Sequence, residues 1–167
     1  MTMFPTPASG GNRPDPNRDY HYDPESGRPR SLDVAYWLLV AGAVLCAVAG
    51  LMLLTTDVPQ EIVEWNAEHA ENVRSNMRFV AWFNLVGALL VGLCAPQVRA
   101  GSRVWRRWVA VFLVLLVVGN MIALVAKVVG PAVLLSLVVF AAAAVAMFRP
   151  DANGYIRYNS GVDTPRA

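Results

Sequence analysis

Two asparagines, Asn84 and Asn120, are the residues on which chemistry inside this chain would turn. Each stands in a long apolar stretch, where a side-chain amide with donors and an acceptor oxygen must find partners or a ligand. Counted from one side of a membrane, Asn84 lies six residues inside its stretch and Asn120 seven, matching depths of about 9 and 10.5 Å at helical rise. The spacing predicts that the two amides meet. They either hydrogen-bond between helices, for roughly 0.6 to 2 kcal/mol in a membrane, or line a polar pocket for a headgroup or small solute.

Other reactive residue types fall where they cannot assemble a site. The histidines, His21 and His69, lie outside every apolar stretch, so bundle-type haem ligation is excluded. Glu64 and Glu68 are one turn apart, but His69 points about 140° away from Glu64 on a helix, and no metal is expected there. Cys46 and Cys94 differ in depth and form no Cys-x-x-Cys pair; both are read as small buried hydrophobes. Ser136 has no His or Lys at its depth, and no carboxylate lies inside an apolar stretch to serve proton coupling. Glycine-rich phosphate loops and nucleic-acid modules are also missing. The chain is therefore expected to be no enzyme, to carry no cofactor and to bind no nucleic acid.

These residues must be positioned by membrane-spanning helices. The chain has 167 residues, 56% hydrophobic and 16% charged, with a mean hydropathy of +0.42, against about a quarter charged in soluble domains. The sequence predicts an all-α polytopic membrane protein, a four-helix transmembrane bundle with spans at 34–54, 79–95, 108–126 and 131–148. The last two come from one apolar run from Trp108 to Phe148, in which Lys127 is the single charged residue and whose reversal is marked by Lys127 and the Gly130-Pro131 pair. No secretory leader precedes the first span, so that span is expected to be retained. Eleven basic residues fall on the side of the two tails and the central loop, against Arg74, Arg78 and Lys127 on the other. The positive-inside rule then puts both termini in the cytoplasm of a cell with this protein in its inner membrane.

Residues 1–30 hold six of the eleven prolines and are expected to form a disordered cytoplasmic tail, in which Tyr20 and Tyr22 are either a short linear recognition motif or isolated aromatics. Residues 149–167 are expected to be a second cytoplasmic tail, around the domain of residues 31–148. Arg103, Trp105, Arg106, Arg107 and Trp108 form an interfacial cluster suited to anionic headgroups. The outward segment 58–77 reads as one amphipathic helix, with Asp57 and Pro59 at its start and Glu61, Glu64, Glu68 and Glu71 on a shared acidic face. That face is either solvated or a surface for cations or a basic partner. Small residues give two packing seams: Gly42, Cys46 and Gly50 on the first span, and Asn84, Ala88 and Gly92 on the second.

The stretch Arg28-Pro-Arg-Ser-Leu-Asp-Val-Ala-Tyr-Trp-Leu-Leu-Val-Ala-Gly, with thirteen Arg to one Lys in the chain, resembles small multispan membrane proteins of actinobacteria. The resemblance covers the tail and first span. It implies an inner-membrane address and no catalytic residues. The expected role is a non-catalytic accessory or scaffolding subunit that meets a membrane-protein partner or another copy of itself in the bilayer. The competing expectation is a transporter or channel component for a small solute or lipid, with its pocket near Asn84 and Asn120.

Overall fold

A computed structural model describes residues 22–130 and 133–160. The regular structure among them is entirely helical: α1 (Arg30–Thr55), α2 (Gln60–Trp65), α3 (Ala67–Arg99), α4 (Arg103–Val125), α5 (Val133–Met147) and α6 (Pro150–Asn159), after a short 3-10 turn at Pro24–Ser26. Three helices, α1, α3 and α4, are long and apolar enough to cross a membrane, and α5 with α6 makes a fourth if the bent pair is one span. Only 28%, 33% and 28% of the apolar windows of α1, α3 and α4 is buried in the bundle, so most of their apolar surface faces outward. Lipid is the solvent that accommodates such faces.

The C-terminal ends of α1 and α4 are closed by local chemistry. The last turn of α1 satisfies its free carbonyls with hydroxyls: Thr55 and Thr56 both donate to the Met52 carbonyl, at 2.9 and 2.7 Å. At the end of α4, Lys127 takes a left-handed conformation (φ 56°), Val128 N–H donates to Ala123 O and Lys127 N–H to Leu124 O. This is a Schellman close with lysine in the position glycine usually occupies. It starts the reversal ahead of Gly130; Pro131 lies outside the described residues.

Helix α1 is the hub. It packs along α3 on one side and α5 on the other, α4 packs on α3, and the α4–α5 contact that closes the ring is slight. The core between them includes Leu39, Cys46, Val91, Leu113, Leu116 and Phe140. At the end where α1 begins, Asp33 accepts from Arg99 Nε at 2.8 Å and pairs with Arg28 at 3.2 Å, and the Arg99 guanidinium lies 5.0 Å from the Tyr36 ring centre.

Three expectations from sequence change. The outward segment is not one helix. Asn66 adopts an extended backbone (φ −160°) that ends α2, and its side chain caps α3 by accepting from His69 N–H at 3.1 Å. Beyond that break α3 runs unbroken for 33 residues, about 50 Å, through the expected second span. The expected fourth span shortens to the 15 residues of α5, about 22 Å, and the chain bends by 59° into α6. Residues 131 and 132, its expected start, lie outside the described residues.

The third change concerns the C-terminal segment read as a tail. Pro150 opens a ten-residue helix whose Ala152 and Ile156 bury against Leu32 of α1. The Tyr22 ring lies 5.4 and 5.5 Å from those of Tyr155 and Tyr158, so the flanks of α1 and α6 share one end of the bundle. Residues 1–21, including Tyr20, and 161–167 lie outside the described residues.

Candidate functional site

The polar centre of the bundle is a cluster of three side chains from three helices. Antiparallel packing of α3 on α4 sets Asn84 opposite Asn120, both 1% exposed. Asn120 Nδ2 donates to Asn84 Oδ1 at 2.7 Å, and Asn84 Nδ2 donates to Asn120 Oδ1 at 3.1 Å. Asn120 spends its other amide hydrogen on the Leu116 carbonyl at 2.9 Å. From α1, the Cys46 thiol donates to Asn84 Oδ1 at 3.1 Å. Cys46 thus acts as a weak donor as well as a small apolar residue, a role its position in an apolar helix did not reveal.

Small residues seat this cluster. A Cβ on Gly50 would stand 2.9 Å from the Ala81 carbonyl oxygen and 3.3 Å from Asn84 Cβ, so α1 and α3 touch backbone to backbone beside the amides. Gly42 lies under Phe140 of α5, with 2.5 Å to a ring carbon from its missing Cβ. Ala88 is buried in the α3 wall of the core. Gly92 departs from the expected seam: nothing stands within 4 Å of its Cβ position. Two glycines outside both seams make the α3–α4 contact instead. Leu116 lies over Gly87 at 2.4 Å from a would-be Cβ, and Phe83 over Gly119 at 2.6 Å. Their signal in the sequence was proximity, Gly87 three residues after Asn84 and Gly119 next to Asn120.

Beside the amides, a cavity of about 420 Å³ opens between α1, α3 and α5 under the Val128–Gly130 turn, with Asn84 in its lining. Ser136 does not join it chemically, since its hydroxyl donates to Val133 O of its own helix at 2.7 Å.

The interfacial cluster divides. Arg103, Trp105, Arg107 and Trp108 are exposed at the first turns of α4. Arg106 turns inward: its Nη1 donates to Asn153 Oδ1 of α6 and its guanidinium lies 5.0 Å from the Phe148 ring centre. Sequence alone could not anticipate this, because α6 supplies the partner. The acidic residues are split by the break at Asn66, Glu61 and Glu64 on α2, Glu68 and Glu71 on α3, all exposed, with Glu71 3.8 Å from Arg74. The apolar neighbours Ile62, Ala70, Val73 and Met77 pack with Val58, Leu53 and Val128.

Comparison with protein-family models, curated proteins and solved structures finds no match for this chain.

Proposed function

We propose that this chain is a non-catalytic accessory or scaffolding subunit of a membrane assembly, carried in the cell's inner membrane with both ends cytoplasmic. The observation that supports this reading is a shallow groove of about 520 Å³ between α1 and α3. Ala43, Ala47, Ala88 and Gly92 give it small side chains at i, i+4 spacing on both helices, between flanking valines and leucines. Small residues at that spacing let a further helix approach closely, which in lipid is the main source of helix association. The other glycines of α1, α3 and α4 are filled from within by Phe140, Ala81, Leu116 and Phe83, whereas Gly92 is open. A transmembrane helix of a partner subunit, or of a second copy, is the occupant this shape accepts.

Orientation rests on the eleven-to-three division of basic residues. Exposed Arg103, Trp105, Arg107 and Trp108 would then meet anionic headgroups of the inner leaflet. The test is co-purification from native membranes in a mild detergent. The wild-type chain is expected in a larger complex, and Gly92→Leu is expected to release it while leaving its own unfolding midpoint unchanged. A wild-type chain that emerges alone, or a variant that keeps the complex, overturns the proposal. A second reading, a transport component, is favoured by the cavity beside Asn84; solute flux in proteoliposomes holding this chain alone would establish it.

A further inference from the structure

We propose that the outward half of the bundle binds a neutral, lipid-soluble molecule bearing a carbonyl oxygen on an apolar body. Its seat is the cavity between α1, α3 and α5, with the carbonyl on Asn84. The volume, about 420 Å³, lies in the range of small-molecule sites, roughly 300 to 1,000 Å³. Along α1 the lining runs from Leu45 to Thr56, about 16 Å at helical rise, so the space is a slot along the helix rather than a round hole.

The lining selects the ligand's chemistry. Leu45, Val48, Met52 and Leu53 make the α1 wall apolar, and among the described residues no charged side chain lines the cavity, so an ion would lose its hydration without compensation. Thr56 and Asn84 supply the side-chain hydrogen-bonding groups. The Thr56 hydroxyl hydrogen is committed to Met52 O at 2.7 Å. Asn84 accepts twice at Oδ1 and donates one amide hydrogen to Asn120. A side-chain amide has two such hydrogens. Asn120 uses both, whereas the second of Asn84 meets no acceptor among the described residues.

A buried amide hydrogen left without an acceptor carries a cost even when its nitrogen's other hydrogen is bonded, and the group that relieves it is an acceptor. Water is a poor occupant, because it needs two to four polar partners and this slot supplies few. A carbonyl on an apolar body meets both demands at once. Membrane quinones and neutral acyl esters share that chemistry.

The experiment uses the full chain in phosphatidylcholine nanodiscs, titrated separately with decylbenzoquinone and with dioleoylglycerol, each ¹³C-labelled at its carbonyls. A saturable rise of the unfolding midpoint with the first alone assigns a quinone, with the second alone an acyl ester, and with both a site that reads only the shared carbonyl. The bound carbonyl stretch is expected below that of the free probe, and Asn84→Leu is expected to return it to the free value while weakening binding roughly tenfold, the worth of one hydrogen bond. Ala49→Phe fills the slot from α1 and Leu135→Trp from α5; each is expected to abolish the midpoint rise. Two silent probes, an unshifted carbonyl stretch, or full binding in both filled variants overturns the proposal. Ligand binding here needs no helix in the α1–α3 groove, so failure of either proposal leaves the other standing.

Discussion

Replacing the two buried amides, singly and together, tests whether they hold α4 on α3. Two hydrogen bonds of 2.7 and 3.1 Å run between Asn84 and Asn120. At the average worth of interhelical side-chain bonds in membranes, about 0.6 kcal/mol with a ceiling near 1.7, their coupling should be about 1 to 2 kcal/mol. Asn84→Leu also strips Cys46 of its side-chain acceptor and strands the Asn120 oxygen inside the bundle. Asn120→Leu strands the Asn84 donor and leaves its oxygen to Cys46 alone. Each single change should therefore cost about 1 to 3 kcal/mol, the penalty of a stranded buried group. The double change to Leu removes both stranded groups and should cost less than the sum by the coupling energy. Equilibrium unfolding in mixed micelles, or steric trapping in bicelles, measures all four proteins of the cycle. Additivity within about 0.3 to 0.5 kcal/mol would mean that the amides do not act on each other, and would refute the reasoning.

The glycines make a paired prediction. Gly42→Ala pushes a methyl to 2.5 Å from a Phe140 ring carbon and should lower stability by about 1 to 3 kcal/mol, with partial rescue by Phe140→Leu. Gly92→Ala meets nothing within 4 Å and should leave the isolated chain within about 0.5 kcal/mol of wild type in the same unfolding assay. Lys127→Gly removes a side chain from a left-handed position and should raise the unfolding free energy by about 1 kcal/mol. Ile156 is 1% exposed against Leu32; Ile156→Ala should loosen α6, read as faster tryptic cleavage after Arg157 and faster amide exchange over Pro150–Asn159, with α1 and α3 unchanged.

What could be read from the chain follows a physical division. Length and absence of charge are one-dimensional properties, and they suffice for apolar helices and for setting Asn84 level with Asn120. Partner choice is not one-dimensional. Gly42, Gly87 and Gly92 are the same residue in similar helices, and only the neighbour decides whether Phe140, Leu116 or nothing fills the space. Asn66 shows a local signal that was present and outweighed: the i, i+3, i+4 rhythm of Glu61, Glu64, Glu68 and Glu71 carries straight across it, yet an asparagine side chain competes with the helix backbone and starts a new one. Residues 150–159 are polar enough to read as tail. Their helix exists because Ala152 and Ile156 find Leu32, a contact more than a hundred residues away in the chain.

The α3–α4 contact shows why a bundle in lipid places amides beside its glycines. Leu116 on Gly87 and Phe83 on Gly119 fit by shape, but a leucine or phenylalanine displaced from its hole meets lipid tails as apolar as the hole itself. Close packing at these glycines favours the observed register, and the amide pair adds to that preference. A shift of α4 by one residue, about 1.5 Å with a 100° rotation, would strip Asn84 and Asn120 of both their mutual bonds and turn an amide toward hydrocarbon. The glycines let the helices approach, and the amides reinforce the turn at which they stop.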